Sequence, residues 1–210
     1  QISKTNCRTR NGGNAVHKLH SLAEPCALVC ALDAVACWAM DDATVDQLDV
    51  VTIDEDANGR IDLVALEREL IKYKDRPLRI GSFSAASNVT GIGSDTRNIA
   101  ALLHKHGALS FWDFAAAGPY VQIEMNMADD GPDGHLVYKD AIFLSPHKFI
   151  GGPGTPGLLI AKKHLFTNQV PSVPGGGTVS FVTAWGHRYV QDIVRREEGG
   201  APAGARACAV

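Results

Sequence analysis

The chain has 210 residues, 45% of them hydrophobic and 20% charged, which suits one globular domain, or one domain with an incomplete second. Its formal charge of -3 gives no basis for nucleic acid or an anionic membrane as a partner. No apolar run approaches the roughly 20 residues that a membrane span needs, and the polar start, residues 1–14, lacks the apolar stretch of a secretory signal. Five cysteines, Cys7, Cys26, Cys30, Cys37 and Cys208, are odd in number and irregular in spacing. That pattern fits reduced thiols in a cytoplasmic protein better than a disulfide framework.

Residues 1–48 form the least readable stretch. Within it, 22–40 is rich in Ala, Leu, Val and Cys and is predicted to be a buried helix. The pattern sharpens from Asp49. Residues 50–53 read as a strand and 56–59 as a turn. Asp62 is placed to cap a helix that carries Leu63, Leu66, Leu70 and Ile71. Residues 78–83 read as a strand. A helix over 95–106 follows, with Ile99, Leu102 and Leu103 on one face and Gly107 as its C′ residue. Residues 108–113, 141–144 and 157–161 are three further strands, and 203–210 is a tail. Strands alternating with helices predict an α/β three-layer sandwich around a mainly parallel sheet, whose chemistry gathers at the carboxyl ends of the strands.

Two patterns that imitate metal sites are set aside. Residues 54–62 begin like a calcium loop, but Ala65 stands where a bidentate Glu is required. His104 and His106 read as the solvated, cationic end of a helix rather than as a metal pair. No metal is expected.

Three segments at or just past predicted strands carry the chemistry. They are Ser87-Asn88-Val89-Thr90-Gly91, the run Asp113-Phe114-Ala115-Ala116-Ala117-Gly118, and Ser145-Pro146-His147-Lys148 followed by the glycine- and proline-rich stretch 151–157. A lysine at a strand end, beside backbone that lacks side chains, lets a planar ligand approach closely. Partial burial would lower its pKa and make the neutral amine available. Asp113 ends an apolar strand, where a carboxylate needs a partner.

These segments resemble the class V aminotransferase family of fold-type I pyridoxal-phosphate enzymes, a family that includes cysteine desulfurases. The resemblance runs over about 50–202, with 35 residues from Asp113 to Lys148. It implies a large-domain portion of the pyridoxal-phosphate transferase fold, with pyridoxal 5'-phosphate as cofactor and an amino acid as substrate. Lys148 would hold the cofactor as a Schiff base and shuttle protons. Asp113 would pair with the ring nitrogen and keep the ring an electron acceptor. Asn88 would lie near the ring hydroxyl, and Ser145 and His147 would hold the phosphate. The glycines 175–177 with Thr178, and residues 196–202, look like the family's later glycine motifs, which implies a homodimer with a shared site.

The chain departs from the family pattern in three ways. Ala116 stands where many desulfurase-like members carry Gln or His. Gly200-Ala201-Pro202 replaces a Gly-Thr-Pro motif, with Thr178 as a substitute phosphate ligand. The chain is also shorter than family members at both ends. Two functions follow: an enzyme performing transamination, desulfuration or β-elimination, or a non-catalytic remnant that keeps the fold and at most weak cofactor binding.

Overall fold

A computed structural model of the protein describes residues 26–31, 49–127, 130–171 and 174–197. Strand β1 (Cys26–Ala31) corrects the helix predicted over this part of the N-terminal segment. It lies between β2 (Asp49–Ile53) and β3 (Leu78–Ser84), parallel to both. A strand inside a parallel sheet shows an unbroken apolar run with no alternation, which periodicity cannot tell from a buried helix. The rest of 1–48 and the tail 203–210 lie outside the described residues.

The remaining elements follow the predicted order. Asp62 accepts hydrogen bonds from the N–H groups of Val64 and Ala65 and so starts α1 (Leu63–Lys72). Asp95 caps α2 (Thr96–Lys105) through the N–H of Asn98. Gly107 follows that helix with φ of 68°. Strands β4 (Leu109–Asp113) and β5 (Ala141–Leu144) come next, and then β6 (Leu158–Ala161). The six-stranded sheet has the order β2-β1-β3-β4-β5-β6, with only β6 antiparallel to its neighbour. A separate hairpin of β7 (Val179–Val182) and β8 (His187–Tyr189) precedes the short α3 (Ile193–Glu197).

The two faces of the sheet differ. Leu66 and Leu70 of α1 and Ile99 and Leu103 of α2 pack on Ile53, Phe83, Trp112 and Ile142. Fully burying each of these leucines contributes about 2 kcal/mol. On the other face Ile80, Phe111 and Ala141 form a second cluster with Leu109, Phe143, Leu159 and Leu165. Alternation along β4 therefore puts Ser110 and Trp112 toward the helices and Phe111 and Asp113 on the opposite face.

The end of α2 is not the solvated terminus that its sequence predicts. The His104 side chain is 6% exposed and that of Asp140 1%. His104 Nδ1 donates to the Leu136 carbonyl at 2.6 Å, since a carbonyl only accepts, and Nε2 lies 2.8 Å from Asp140 Oδ2. The ring stacks on Tyr138 at 4.0 Å. The same Asp140 oxygen accepts the Ser110 N–H at 2.8 Å, and Ser110 Oγ accepts the Trp112 indole N–H at 2.7 Å. The contact ties helix, loop and two strands together. His104 stands four residues after Ala100, which is fully buried, and so shares the helix face turned to the core. Replacing His104 with Ala leaves a buried carboxylate with the Ser110 N–H but without the imidazole, so we expect a loss of about 2–3 kcal/mol in urea unfolding.

Lys139 is also buried and donates to the Glu124 carbonyl at 3.1 Å. Burial holds its pKa below 10.5; Glu124 opposes that shift and Arg97 adds to it. Between the lowered folded value and the unfolded value of 10.5, the unfolded chain binds a proton that the folded chain does not. Stability therefore rises with pH across that window. A Lys139→Met variant removes this dependence. Its stability relative to the parent should fall steadily as unfolding is measured at pH values rising from neutral toward 10.5.

Candidate active site

All strands from β1 to β5 run in one direction, so their carboxyl ends share one edge. The three singled-out segments leave that edge from the adjacent strands β3, β4 and β5. Neighbouring strands lie about 4.8 Å apart, so three of them span about 10 Å, the width of a substituted six-membered ring.

The segment after β3 is zipped closed by its own polar groups. The Ala85 N–H donates to the Asp113 carbonyl at 2.8 Å, extending the β3–β4 pairing. Ser87 Oγ accepts the N–H groups of Val89 and Thr90, both at 3.2 Å. Asn88 stands exposed on this turn.

Asp113 ends β4 in a half-buried position. Its Oδ1 accepts the Ala115 N–H at 2.6 Å, which turns the chain into 114–118. Among the described residues no donor reaches the second oxygen. Gly118 lets this turn sit on the next one: a Cβ there would lie 2.8 Å from the Phe114 carbonyl oxygen, 3.3 Å from Phe149 Cζ and 3.4 Å from Leu144 Cδ2. The turn that bears the acid thus packs directly on the residue after Lys148.

The third segment is a 3₁₀ turn, Pro146–Lys148, following β5. The Lys148 N–H donates to the Ser145 carbonyl at 3.0 Å, and the Gly152 N–H to the Phe149 carbonyl at 2.9 Å. Gly152 is required for packing, because a Cβ would stand 1.9 Å from the Pro146 carbonyl oxygen. Ser145 is half-buried, and His147 and Lys148 are exposed. The sequence placed Lys148 in a partly buried position. The tight turn instead lifts it off the strand end, and among the described residues it makes no ion pair.

Thr178 lies elsewhere, at the start of the hairpin. It is fully buried, and its hydroxyl donates to the Gly175 carbonyl at 2.7 Å and accepts the Gly175 N–H at 3.1 Å. The hydroxyl is committed to its own glycine turn. Residues 200–202 lie outside the described residues. Among the described residues no group of His, Cys, Asp and Glu could hold a metal ion, and no helix is long and apolar enough to cross a membrane.

The mostly parallel open sheet with its helices is that of the large domain of pyridoxal-phosphate transferases, of which the chain holds a part. More narrowly, the chain belongs to the aminotransferase class V family, whose profile matches residues 16–210. That match extends beyond the 50–202 over which the motifs carry the resemblance. Proteins of this family depend on pyridoxal phosphate. No curated protein matches the chain.

Similar solved structures include a cysteine desulfurase from Thermococcus onnurineus, with TM-score 0.68 and 21% identity over 90% of this chain and 45% of that one. The cysteine desulfurase CsdA from Escherichia coli has TM-score 0.64 and 24% identity, covering 88% of this chain and 43% of its own. A NifS-like protein from Rickettsia africae has TM-score 0.56 and 20% identity, over 72% and 38% of the two chains. At these identities the likeness is one of fold. The chain spans less than half the length of each.

Proposed function

We propose that this chain holds pyridoxal 5'-phosphate across the β3–β4–β5 edge, with Lys148 as its Schiff-base amine, and contributes to a reaction on an amino acid. The observation that carries the reading is the packing of Gly118 against Phe149, which brings the turns of Asp113 and Lys148 into contact. The residues present suit the cofactor's chemistry: among the described residues, a carboxylate whose second oxygen no donor reaches, and an amine engaged in no ion pair.

When bound, the cofactor supplies an electron sink for a carbanion at the substrate's α-carbon. Asp113 holds a proton on the ring nitrogen, with its carboxylate oriented by the Ala115 N–H. Lys148, exposed on its turn, is free to accept and return the α-proton. Ser145 and His147, flanking the 3₁₀ turn, supply hydrogen-bond donors for the phosphate. Asn88 offers its amide to the ring hydroxyl. Thr178 serves through the glycine turn that it closes. The site is completed in a homodimer.

The test is absorption of the purified protein with added pyridoxal phosphate, together with exchange of the α-proton of amino acids in deuterated water. A visible band with exchange supports an enzyme, and a band without exchange indicates a cofactor-binding remnant. Asp113→Ala should weaken cofactor binding about ten-fold and remove exchange. Undiminished exchange in that variant overturns the assigned acid.

A further inference from the structure

Residues 145–157 lead from β5 to β6 and return on themselves, because Leu144 and Leu158 at their two ends are paired across antiparallel strands. Between those ends the backbone runs through turns that share residues. The Phe149 N–H donates to the Pro146 carbonyl at 2.9 Å, the Gly152 N–H to the Phe149 carbonyl at 2.9 Å, and the Thr155 N–H to the Gly152 carbonyl at 3.0 Å. Phe149 and Gly152 each donate in one turn and accept in the next. A shift in the last turn therefore reaches the first, which contains Lys148.

The residues of this loop explain its shape but not its rigidity. Gly151 and Gly154 take φ of 81° and 83°, each at the third position of its turn, and Pro153 presets the second position of the last one. Residues 151–154, Gly-Gly-Pro-Gly, carry no polar side chain that could hold them, and glycine has the most conformational freedom to lose.

Thr155 is the first residue after Lys148 with a polar side chain. Its Oγ1 donates to the Gly152 carbonyl at 2.7 Å, so that carbonyl accepts both the N–H and the hydroxyl of one residue. No other side chain of residues 145–157 makes a hydrogen bond among the described residues. Gly152 is buried and Thr155 half-buried, so the bond is partly shielded from water. Pro156 favours an extended backbone at Thr155, which leads the chain on into β6.

We propose that Thr155 is a positioning residue for the Schiff-base amine: its hydroxyl locks the last turn, and through Gly152 and Phe149 that lock holds the turn that presents Lys148. This rests on the cofactor assignment above. Phe149 is also the residue on which the Gly118 turn packs, so the same lock sets Lys148 against the turn of Asp113.

The experiment uses the full chain and reads two quantities: the dissociation constant for pyridoxal phosphate and, without cofactor, amide hydrogen exchange at Gly152. Thr155→Val keeps the branched shape and removes the hydroxyl. It should weaken binding about five-fold and speed Gly152 exchange about five-fold. Thr155→Ser, which keeps the hydroxyl, should restore both. Circular dichroism of each variant establishes folding. Binding that Thr155→Val leaves unchanged, or a loss that Thr155→Ser does not restore, overturns the role of Thr155 and leaves the cofactor assignment standing. A restored loss of binding with Gly152 exchange unaltered overturns it too, because the hydroxyl would then act otherwise than through the turn. A parent chain that binds no pyridoxal phosphate overturns both readings.

Discussion

Replacing Lys148 with alanine should abolish the covalent cofactor band and lower α-proton exchange by about 10²–10⁴-fold, while leaving the urea midpoint unchanged. The two halves of this result have different causes. Exchange needs an amine that can hold the proton between substrate carbon and water, and among the described residues this turn offers one, on Lys148. Stability does not need it. The side chain is exposed, and the hydrogen bonds of its turn are made by backbone atoms of residues 145 to 152. Absorption before and after addition of pyridoxal phosphate, with mass analysis after borohydride reduction, checks the first half; urea unfolding checks the second. A reduced adduct on another lysine would move the site away from this edge.

Gly152→Ala should have the opposite profile. A Cβ at this position would come within 1.9 Å of the Pro146 carbonyl oxygen, and the nearby Phe149 carbonyl oxygen at 3.1 Å leaves little room to shift. Both obstacles are backbone, so no side-chain rotation relieves them. The turn has to open, at a cost of about 2–3 kcal/mol in unfolding free energy. Opening it also breaks the hydrogen bond from the Gly152 N–H to the Phe149 carbonyl, which holds the turn that presents Lys148. Cofactor affinity should fall about ten-fold or more even though no group that touches the cofactor has changed. Urea unfolding and a binding titration on the same variant measure the two effects. An unchanged affinity would show that the turn does not hold the amine in place.

Much of the fold was legible from local chemistry. Asp62 and Asp95 are side chains that satisfy the free N–H groups of a helix start, and each stands where its helix begins. Gly107 takes the left-handed conformation expected after a helix. The strands from β2 to β6 fall within a residue or two of their predicted bounds. Each of these signals acts over a few residues, within reach of a sequence window. Residues 26–31 lacked such a signal, because a central strand and a buried helix segment present the same apolar run.

The candidate site divides in the same way. Its motifs, the family and the carboxyl edge at which they gather could be read from the order of residues, since a lysine or aspartate at a strand end is a local feature. Two things came only from the tertiary structure: the seat of His104 against Asp140, and the need for glycine at 118 and 152. Each depends on a partner brought near by chain closure rather than by sequence distance. No one-dimensional pattern records which backbone will pass within a few ångströms of another, so that information exists only once the sheet has formed.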